Sequence, residues 1–262
     1  MKLAVTGKGG VGKTTLSSLL ARVFAAEGRT VLAIDANPDA NLAAAVGVSS
    51  AEVAKLTPIA ELSDFIEERT GAKPGMMGGQ FRLNPRVDDI PERFAVVKHG
   101  VRLLVLGTVK KGGGGCICPE SAVLRSLMAH LMLGRKDVVI LDMDAGMEHI
   151  GRATAQGVDA FIVVVEPGQR SIQTAKAIKH LANDIGIRRC FVVGSKTHDE
   201  AERQFIISSL PDFEVLGFMN FDPQIGEADH RGESVYDTAP GAAEEAKKIK
   251  ERLESVLGNK KS

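Results

Sequence analysis

Residues 7–15 carry the most specific chemical signal in the chain, because their order, Gly-Lys-Gly-Gly-Val-Gly-Lys-Thr-Thr, matches a phosphate-binding loop. Glycines adopt backbone conformations that other residues avoid, so several N–H groups can point inward at phosphate oxygens. We expect Lys13 to place a charge near the β- and γ-phosphates of a nucleotide, and the Thr14 hydroxyl to bind Mg²⁺. The predicted nucleotide contacts are Gly9, Gly10, Val11, Gly12, Lys13, Thr14 and Thr15.

The segments on either side of this loop would hold it in place. An apolar run at residues 3–5 precedes it. The apolar residues after it recur at helical spacing, namely Leu16, Leu19, Leu20, Val23 and Phe24. Strand, glycine loop and helix in that order are the context that the motif requires. The pattern therefore favours a nucleotide site over a glycine-rich turn without a ligand.

Two acidic segments each follow a run that is typical of a buried strand. Residues 35–41 follow the run 31–34, and residues 142–146 follow the run 138–141. Ligands of parallel sheets bind at the carboxyl ends of the strands. We expect Asp142 to lie in the Mg²⁺ shell and the N–H of Gly146 to reach the γ-phosphate, since glycine has no side chain to block the approach.

A Cys-x-Cys pair, Cys116 and Cys118, follows four glycines and precedes a proline that suits the first position of a helix. Its position ahead of a helix N-terminus favours the thiolate form. One pair supplies two sulfur ligands, whereas a closed thiolate site needs four, which two chains could provide together. A redox pair or incidental thiols are the alternatives. Cys190 lies in a strand pattern and is expected in the core.

The apolar runs also predict the fold. Further strand-like runs lie at residues 103–106, 161–165 and 191–193, and helical patterns lie at about 121–133, 171–185 and 200–210. This alternation predicts an α/β fold with one doubly wound, mostly parallel sheet flanked by helices. We expect a single domain over residues 1–262. Residues 73–94, with prolines and glycines, are expected to be an irregular insertion that orders on a partner or is merely a surface excursion.

Composition narrows the class of protein. Lysine plus arginine and aspartate plus glutamate number 33 each, so the charge indicates no nucleic-acid partner. A strand that starts within a few residues leaves no room for a secretory signal, and no run approaches the ~18 apolar residues of a membrane helix. The apolar face of the C-terminal helix begins with alanines and lacks an aromatic anchor, which favours packing over membrane binding. Three cysteines fit the reducing cytoplasm, where we expect the protein.

The loop with a second lysine, Lys8, resembles the deviant Walker A loop of the MinD/ParA/nitrogenase-iron-protein group of ATPases. The resemblance implies a nucleotide-dependent homodimer in which Lys8 reaches the partner's ATP, with residues 35–41 and 142–146 as switches. Relatives commonly have an aspartate before the proline of the first switch to orient the attacking water, and Asn37 stands there. Either Asp39 takes the role or hydrolysis is slow, so the expected catalytic residues are Lys8, Lys13, Asn37 and Asp39.

The residue expected to recognise the nucleotide base also differs from the one found in the resembling group. An asparagine beyond a late strand reads the adenine in that group, and Ser195 stands at the matching place. Residues 218–223 are expected at the other wall of the adenine pocket. The deviant loop, and the lack of a guanine-reading motif at this position, favour ATP over GTP.

The order of four motifs resembles more closely the CooC-type ATPases that mature carbon monoxide dehydrogenase, and the related acetyl-CoA synthase maturation factors. These motifs are the loop, residues 35–41, the Cys-x-Cys pair before Pro-Glu, and residues 142–149. The resemblance implies nickel, or zinc, held by Cys116 and Cys118 at the dimer interface. It further implies delivery of nickel to the carbon monoxide dehydrogenase apo-enzyme. The alternatives are an iron–sulfur reductase like the nitrogenase iron protein and a MinD/ParA-type positioning ATPase.

Overall fold

The computed structural model describes residues 1–37, 39–74, 80–107, 119–134, 138–145 and 157–258, without the side chains of 132–134. Cys116, Cys118 and Gly146 lie outside the described residues, so their predicted roles stay predictions. Part of the stretch expected to be irregular, 75–79, lies outside them as well. The end of that stretch is a short helix that starts with the buried residues Ile90 and Pro91.

Eight strands in the described residues form one sheet in the order β3-β4-β2-β5-β1-β6-β7-β8. The strands are β1 (Lys2–Gly7), β2 (Val31–Asp35), β3 (Val96–Lys98), β4 (Val101–Val105), β5 (Val138–Asp142), β6 (Ala160–Val165), β7 (Cys190–Thr197) and β8 (Glu214–Asn220). All described pairs are parallel except the pair of β3 with β4. The predicted fold class, a doubly wound and mostly parallel sheet, is confirmed.

Helices cover both faces of the sheet. They are α1 (Lys13–Ala26), α2 (Leu42–Val46), α3 (Ser50–Val53), α4 (Ser63–Thr70), α5 (Ile90–Phe94), α6 (Pro119–Gly134), α7 (Gln169–Asp184), α8 (Glu200–Ser209), α9 (Pro223–Arg231), α10 (Val235–Thr238) and α11 (Pro240–Gly258), with a 3₁₀ turn at Ile59–Glu61. One hydrophobic cluster joins the sheet to α1, α2 and α11, and the other joins it to α4, α6 and α7. The five central strands are buried on both faces, as parallel sheets are.

The last helix, α11, packs on β8 and α1 through the apolar face that its sequence predicts. Ala242, Ala246, Ile249, Leu253 and Leu257 are buried. Val256, expected on the same face, is partly buried against that cluster. Across the part of the chain that the structure describes, no helix is both long and apolar enough to cross a membrane.

Candidate functional site

The predicted phosphate loop borders a cleft of about 700 Å³ at the carboxyl ends of the strands. Residues at the ends of β7 and β8 and residues of α9 also line this cleft. Of the predicted site residues, those that line the cleft are Gly9, Gly10, Gly12, Lys13, Thr14, Thr15, Asn37, Asp39 and Ser195. A cavity of this size is in the range that holds a small ligand.

Glycine at two loop positions is required by the local backbone. Gly12 has φ 96°, and a Cβ there would lie 3.1 Å from the Ser195 hydroxyl oxygen. A Cβ on Gly7, which has φ 149°, would lie 2.5 Å from the carbonyl oxygen of Val164. Val11, between them in the loop, is fully buried in the core. Its side chain therefore anchors the loop, and only its backbone can contact a ligand.

Lys13 begins α1 and extends its ammonium into the loop. The residue is 7% exposed. Its Nζ donates to the carbonyl oxygen of Lys8 at 3.3 Å and lies 3.3 Å from Asp144 Oδ1. Because the Lys13 ammonium is shielded from water, it attracts an anion more strongly than an exposed ammonium group would. A negatively charged group in the cleft would meet a buried cation at this end.

Asp142 lies at the end of β5, directly below the loop. The Thr14 hydroxyl donates to its Oδ2 at 2.7 Å, and the Ser17 hydroxyl donates to its Oδ1 at 3.3 Å. The pKa of Asp142 is raised to about 7, chiefly by burial and also by the nearby Asp35 carboxylate, against the lowering effects of Thr14, Lys13 and Ser17. The carboxyl group is therefore poised to lose a proton when a cation approaches.

Asn37 connects the two acidic strand ends. Its Nδ2 donates to Asp142 Oδ2 at 2.9 Å and to Asp35 Oδ1 at 3.2 Å. The Asp35 carboxylate also accepts from the backbone N–H of Leu42, and burial raises the pKa of Asp35. Asn37 Oδ1 is buried and accepts no hydrogen bond from the described residues. This oxygen is a free acceptor in the wall of the cleft, and Asp39 lies exposed near it.

Lys8 pairs within its own chain. Its Nζ lies 3.0 Å from Glu166 Oε1, in the segment that follows β6. Lys8 is not among the described residues that line the cleft. Glu166 could not be predicted as a partner of Lys8, because only the fold brings residues 8 and 166 together.

Polar and aromatic side chains at or just beyond the ends of β7 and β8 also line the cleft. Lys196, with φ 56°, donates from Nζ to the carbonyl oxygen of Gly10 at 2.6 Å. Phe221 is 54% exposed, lines the cleft and stacks on the His198 ring with centroids 5.0 Å apart. Glu245 holds the Asn220 amide nitrogen at 2.7 Å.

Asp144, Lys196 and Phe221 also line the cleft. Phe221 lies in the segment 218–223 that is expected at the wall of the adenine pocket, whereas the sequence predicts no individual role for Asp144 or Lys196. Asp144 stands within the second acidic segment, and Lys196 follows Ser195, so closeness to a predicted strand end was a usable signal for both. Within the described residues, no group of three or more His, Cys, Asp or Glu could hold a metal ion. Burial raises the pKa of the Cys190 thiol to about 12, which makes it a poor ligand and nucleophile.

Comparison with known proteins agrees with this geometry. Residues 2–235 match the model of the CobQ/CobB/MinD/ParA nucleotide binding domain. The chain is 46% identical to the carbon monoxide dehydrogenase accessory protein CooC of Rhodospirillum rubrum, over 98% of both chains. It is 43% identical to an uncharacterized ATP-binding protein of Methanocaldococcus jannaschii, over 95% of this chain and 96% of that one.

Among solved structures, the fold is similar to MinD in the MinC:MinD cell division complex of Aquifex aeolicus. The TM-score is 0.69 at 21% identity, covering 97% of this chain and 95% of that one. This likeness concerns the fold. The match to the family model and the sequence identities to the relatives are what assign the chain to a family. The chain belongs to the CobQ/CobB/MinD/ParA nucleotide-binding family and is similar, within it, to CooC.

Proposed function

We propose that the chain is a Mg²⁺-dependent ATPase that acts as a dimer in the maturation of carbon monoxide dehydrogenase. The observation that carries the ATPase part is the arrangement of Lys13, Thr14 and Asp142 at the glycine loop. The family membership supports nucleotide binding. The similarity to a protein named for its accessory role toward carbon monoxide dehydrogenase supports the client.

The oxygen donors of the cleft fit Mg²⁺, which prefers oxygen ligands and retains several waters. Thr14 and Asp142 would hold it, and the unpartnered Asn37 Oδ1 offers an acceptor to one of its waters. Because the Thr14 hydroxyl donates to Asp142, its oxygen lone pairs point away from that carboxylate. When bound, Mg²⁺ neutralises phosphate charge during phosphoryl transfer.

The chain's own residues would perform the other steps of ATP binding and hydrolysis. Backbone N–H groups of the loop and the Lys13 ammonium hold the phosphates and stabilise negative charge as it develops. Asn37 can orient a water molecule but cannot accept its proton, since an amide oxygen is not a base. Asp39, which also lines the cleft, is the candidate base. Without such a base, hydrolysis is slow and the ATP-bound form is long-lived.

ATP binding would close two protomers on each other, with Lys8 exchanging Glu166 for the partner's nucleotide. Closure would bring Cys116 and Cys118 of both chains together as four thiolates, a set that suits nickel or zinc. Hydrolysis would separate the sulfurs and release nickel to the apo-enzyme. Linkage then requires that bound metal change ATP affinity or dimerisation.

The test combines size-exclusion chromatography with light scattering, under ATP or ADP and with or without nickel. We expect a dimer with ATP and a nickel content that depends on Cys116 and Cys118, which a double serine variant removes. A monomer under every condition would reject the dimer mechanism. A brown protein after anaerobic purification would instead support an iron–sulfur reductase.

A further inference from the structure

The ammonium of Lys13 already has two protein acceptors, at the end of the cleft where phosphate should bind. One is the carbonyl oxygen of Lys8 and the other is Asp144 Oδ1, each at 3.3 Å. The Lys13 side chain is 8% exposed, whereas that of Asp144 is 57% exposed. The cation is therefore fixed in the protein, and its carboxylate partner is the part that can move.

The backbone of Asp144 is held close to the loop. Thr6, in β1, donates its hydroxyl to the carbonyl oxygen of Asp144 at 3.1 Å. The Asp144 side chain also lines the cleft beside Gly12, Lys13 and Thr14. Carboxylate and phosphate oxygens offer an ammonium group the same kind of charged acceptor. The Asp144 carboxylate thus lies where it meets the same cation as a bound phosphate.

We propose that Asp144 is an internal competitor of the nucleotide phosphates for Lys13. A phosphate that enters the cleft displaces the carboxylate, and the segment after β5 is released from the loop. Nucleotide occupancy is thereby coupled to the position of residues 142–145. The inference rests on the proposed binding of nucleotide in this cleft.

The competition lowers the apparent nucleotide affinity, because the binding-competent state is the fraction in which Asp144 has left Lys13. The Asp144 carboxylate also lowers the nucleotide affinity directly, because its negative charge repels the charged phosphates. Asp144→Asn removes the repulsion and leaves Lys13 only a neutral amide oxygen as competing acceptor. An exposed ion pair contributes little, so we expect binding to tighten about three- to tenfold.

Calorimetric titration of ATP, ADP and inorganic pyrophosphate in EDTA tests this, because chelation removes any role of Asp144 near a metal ion. Asp229→Asn is the matched control. Asp229 is a second exposed carboxylate that lines the cleft, and no described contact joins it to Lys13. We expect tighter binding of all three probes in Asp144→Asn and a smaller change in Asp229→Asn. Asp144→Ser provides a second variant if the first does not fold.

Unchanged or weaker binding in Asp144→Asn and Asp144→Ser would overturn the proposal. An equal gain in Asp229→Asn would also overturn it, because the effect would then come from overall charge. If the proposed nucleotide binding is wrong, the titrations give a different result: pyrophosphate binds, and neither ATP nor ADP does. In that case a pyrophosphate gain in Asp144→Asn still supports the competition. If pyrophosphate binds to neither the parent protein nor the variant, the competition is excluded.

Discussion

Asn37 is the residue that allows two buried carboxyl groups to lie side by side. Its Nδ2 donates to both Asp35 and Asp142, and its backbone N–H donates to Asp35 at 3.0 Å. Buried carboxylates are costly unless donors satisfy them. An aspartate at this position would remove one donor and add a third acid. The asparagine therefore stabilises the nucleotide-free site at the expense of a base near the cleft.

Replacing Asn37 with aspartate should speed hydrolysis and weaken the fold. A carboxylate can take the proton of an attacking water, and such general-base assistance contributes about 10²–10⁴-fold. We expect phosphate release in a single turnover to rise at least about tenfold. Asp39→Asn is the companion variant. No acceleration in Asn37→Asp, together with a large loss in Asp39→Asn, would make Asp39 the base and refute slow hydrolysis by default.

The raised pKa of Asp142 predicts how stability depends on pH in the nucleotide-free protein. Burial holds its pKa at about 7 in the folded protein, well above the ordinary value of an aspartate, so the folded state binds the proton more tightly than the unfolded chain does. Stability from this group is therefore present at low pH and is lost as pH rises from about 4 to about 7. Asp142→Asn should remove this loss, on the order of a few kcal/mol. Thermal unfolding of both proteins in EDTA across that range measures it, and parallel pH profiles would contradict it.

The site could be predicted from sequence as far as local motifs reach. The glycine loop and both acidic segments are continuous in the chain, and their residues line the cleft or lie beneath it. The pairing of Lys8 with Glu166 and the stacking of His198 on Phe221 could not be predicted this way. The members of each pair become neighbours only when β1, β6, β7 and β8 are assembled.

Phe221 predicts a base-specific effect that phosphate contacts cannot produce. An exposed ring that lines the cleft and is braced by His198 can stack on a nucleobase, and such stacking is worth about 1–3 kcal/mol. Phe221→Ala should weaken ATP binding about tenfold while leaving pyrophosphate binding unchanged, with Phe221→Tyr as the conservative control. Equal loss for both ligands would mean that the ring supports the fold instead.

At the scale of elements, the strands with continuous apolar runs were predicted and the edge strands were not. β3 and β8 are the outer strands of the sheet and are only partly buried. An edge strand needs fewer apolar residues, so its sequence gives a weak signal. The helices α6, α7 and α8 lie within two residues of their predicted bounds, because their apolar faces repeat at the helical period.

Gly217, in the middle of β8, permits the close approach of α11. A Cβ there would lie 2.9 Å from Ile249 Cγ1. Gly217→Ala should therefore destabilise the protein by about 1–3 kcal/mol through overpacking. Gly241→Ala, in the first turn of α11, adds a methyl group at ordinary contact distance from Asp222 and should be neutral or slightly stabilising. Urea unfolding of the two variants compares them, and equal midpoints would show that α11 adjusts freely.

At the scale of the whole molecule, association depends on local contacts because overall charge neither favours nor opposes it. The formal net charge is +0. Long-range repulsion between two copies is therefore weak, and salt at about 0.15 M limits it to about 8 Å. The contact that pairing must change is local. Lys8 is bound to Glu166, and both side chains are about one-third exposed.

Glu166→Gln should shift the ATP-bound protein toward the dimer. The variant removes the charged partner that Lys8 would have to leave, and a partly exposed ion pair is worth about 0.2–1 kcal/mol. Because two such pairs are broken in each dimer, the dimer dissociation constant should fall about two- to thirtyfold, measured by sedimentation with a slowly hydrolysed ATP analogue. Lys8→Ala is the control that should lose the ATP-dependent dimer, and ADP should give monomers throughout. A weaker dimer in Glu166→Gln would reverse the interpretation, because Glu166 would then orient Lys8 toward the partner instead of restraining it.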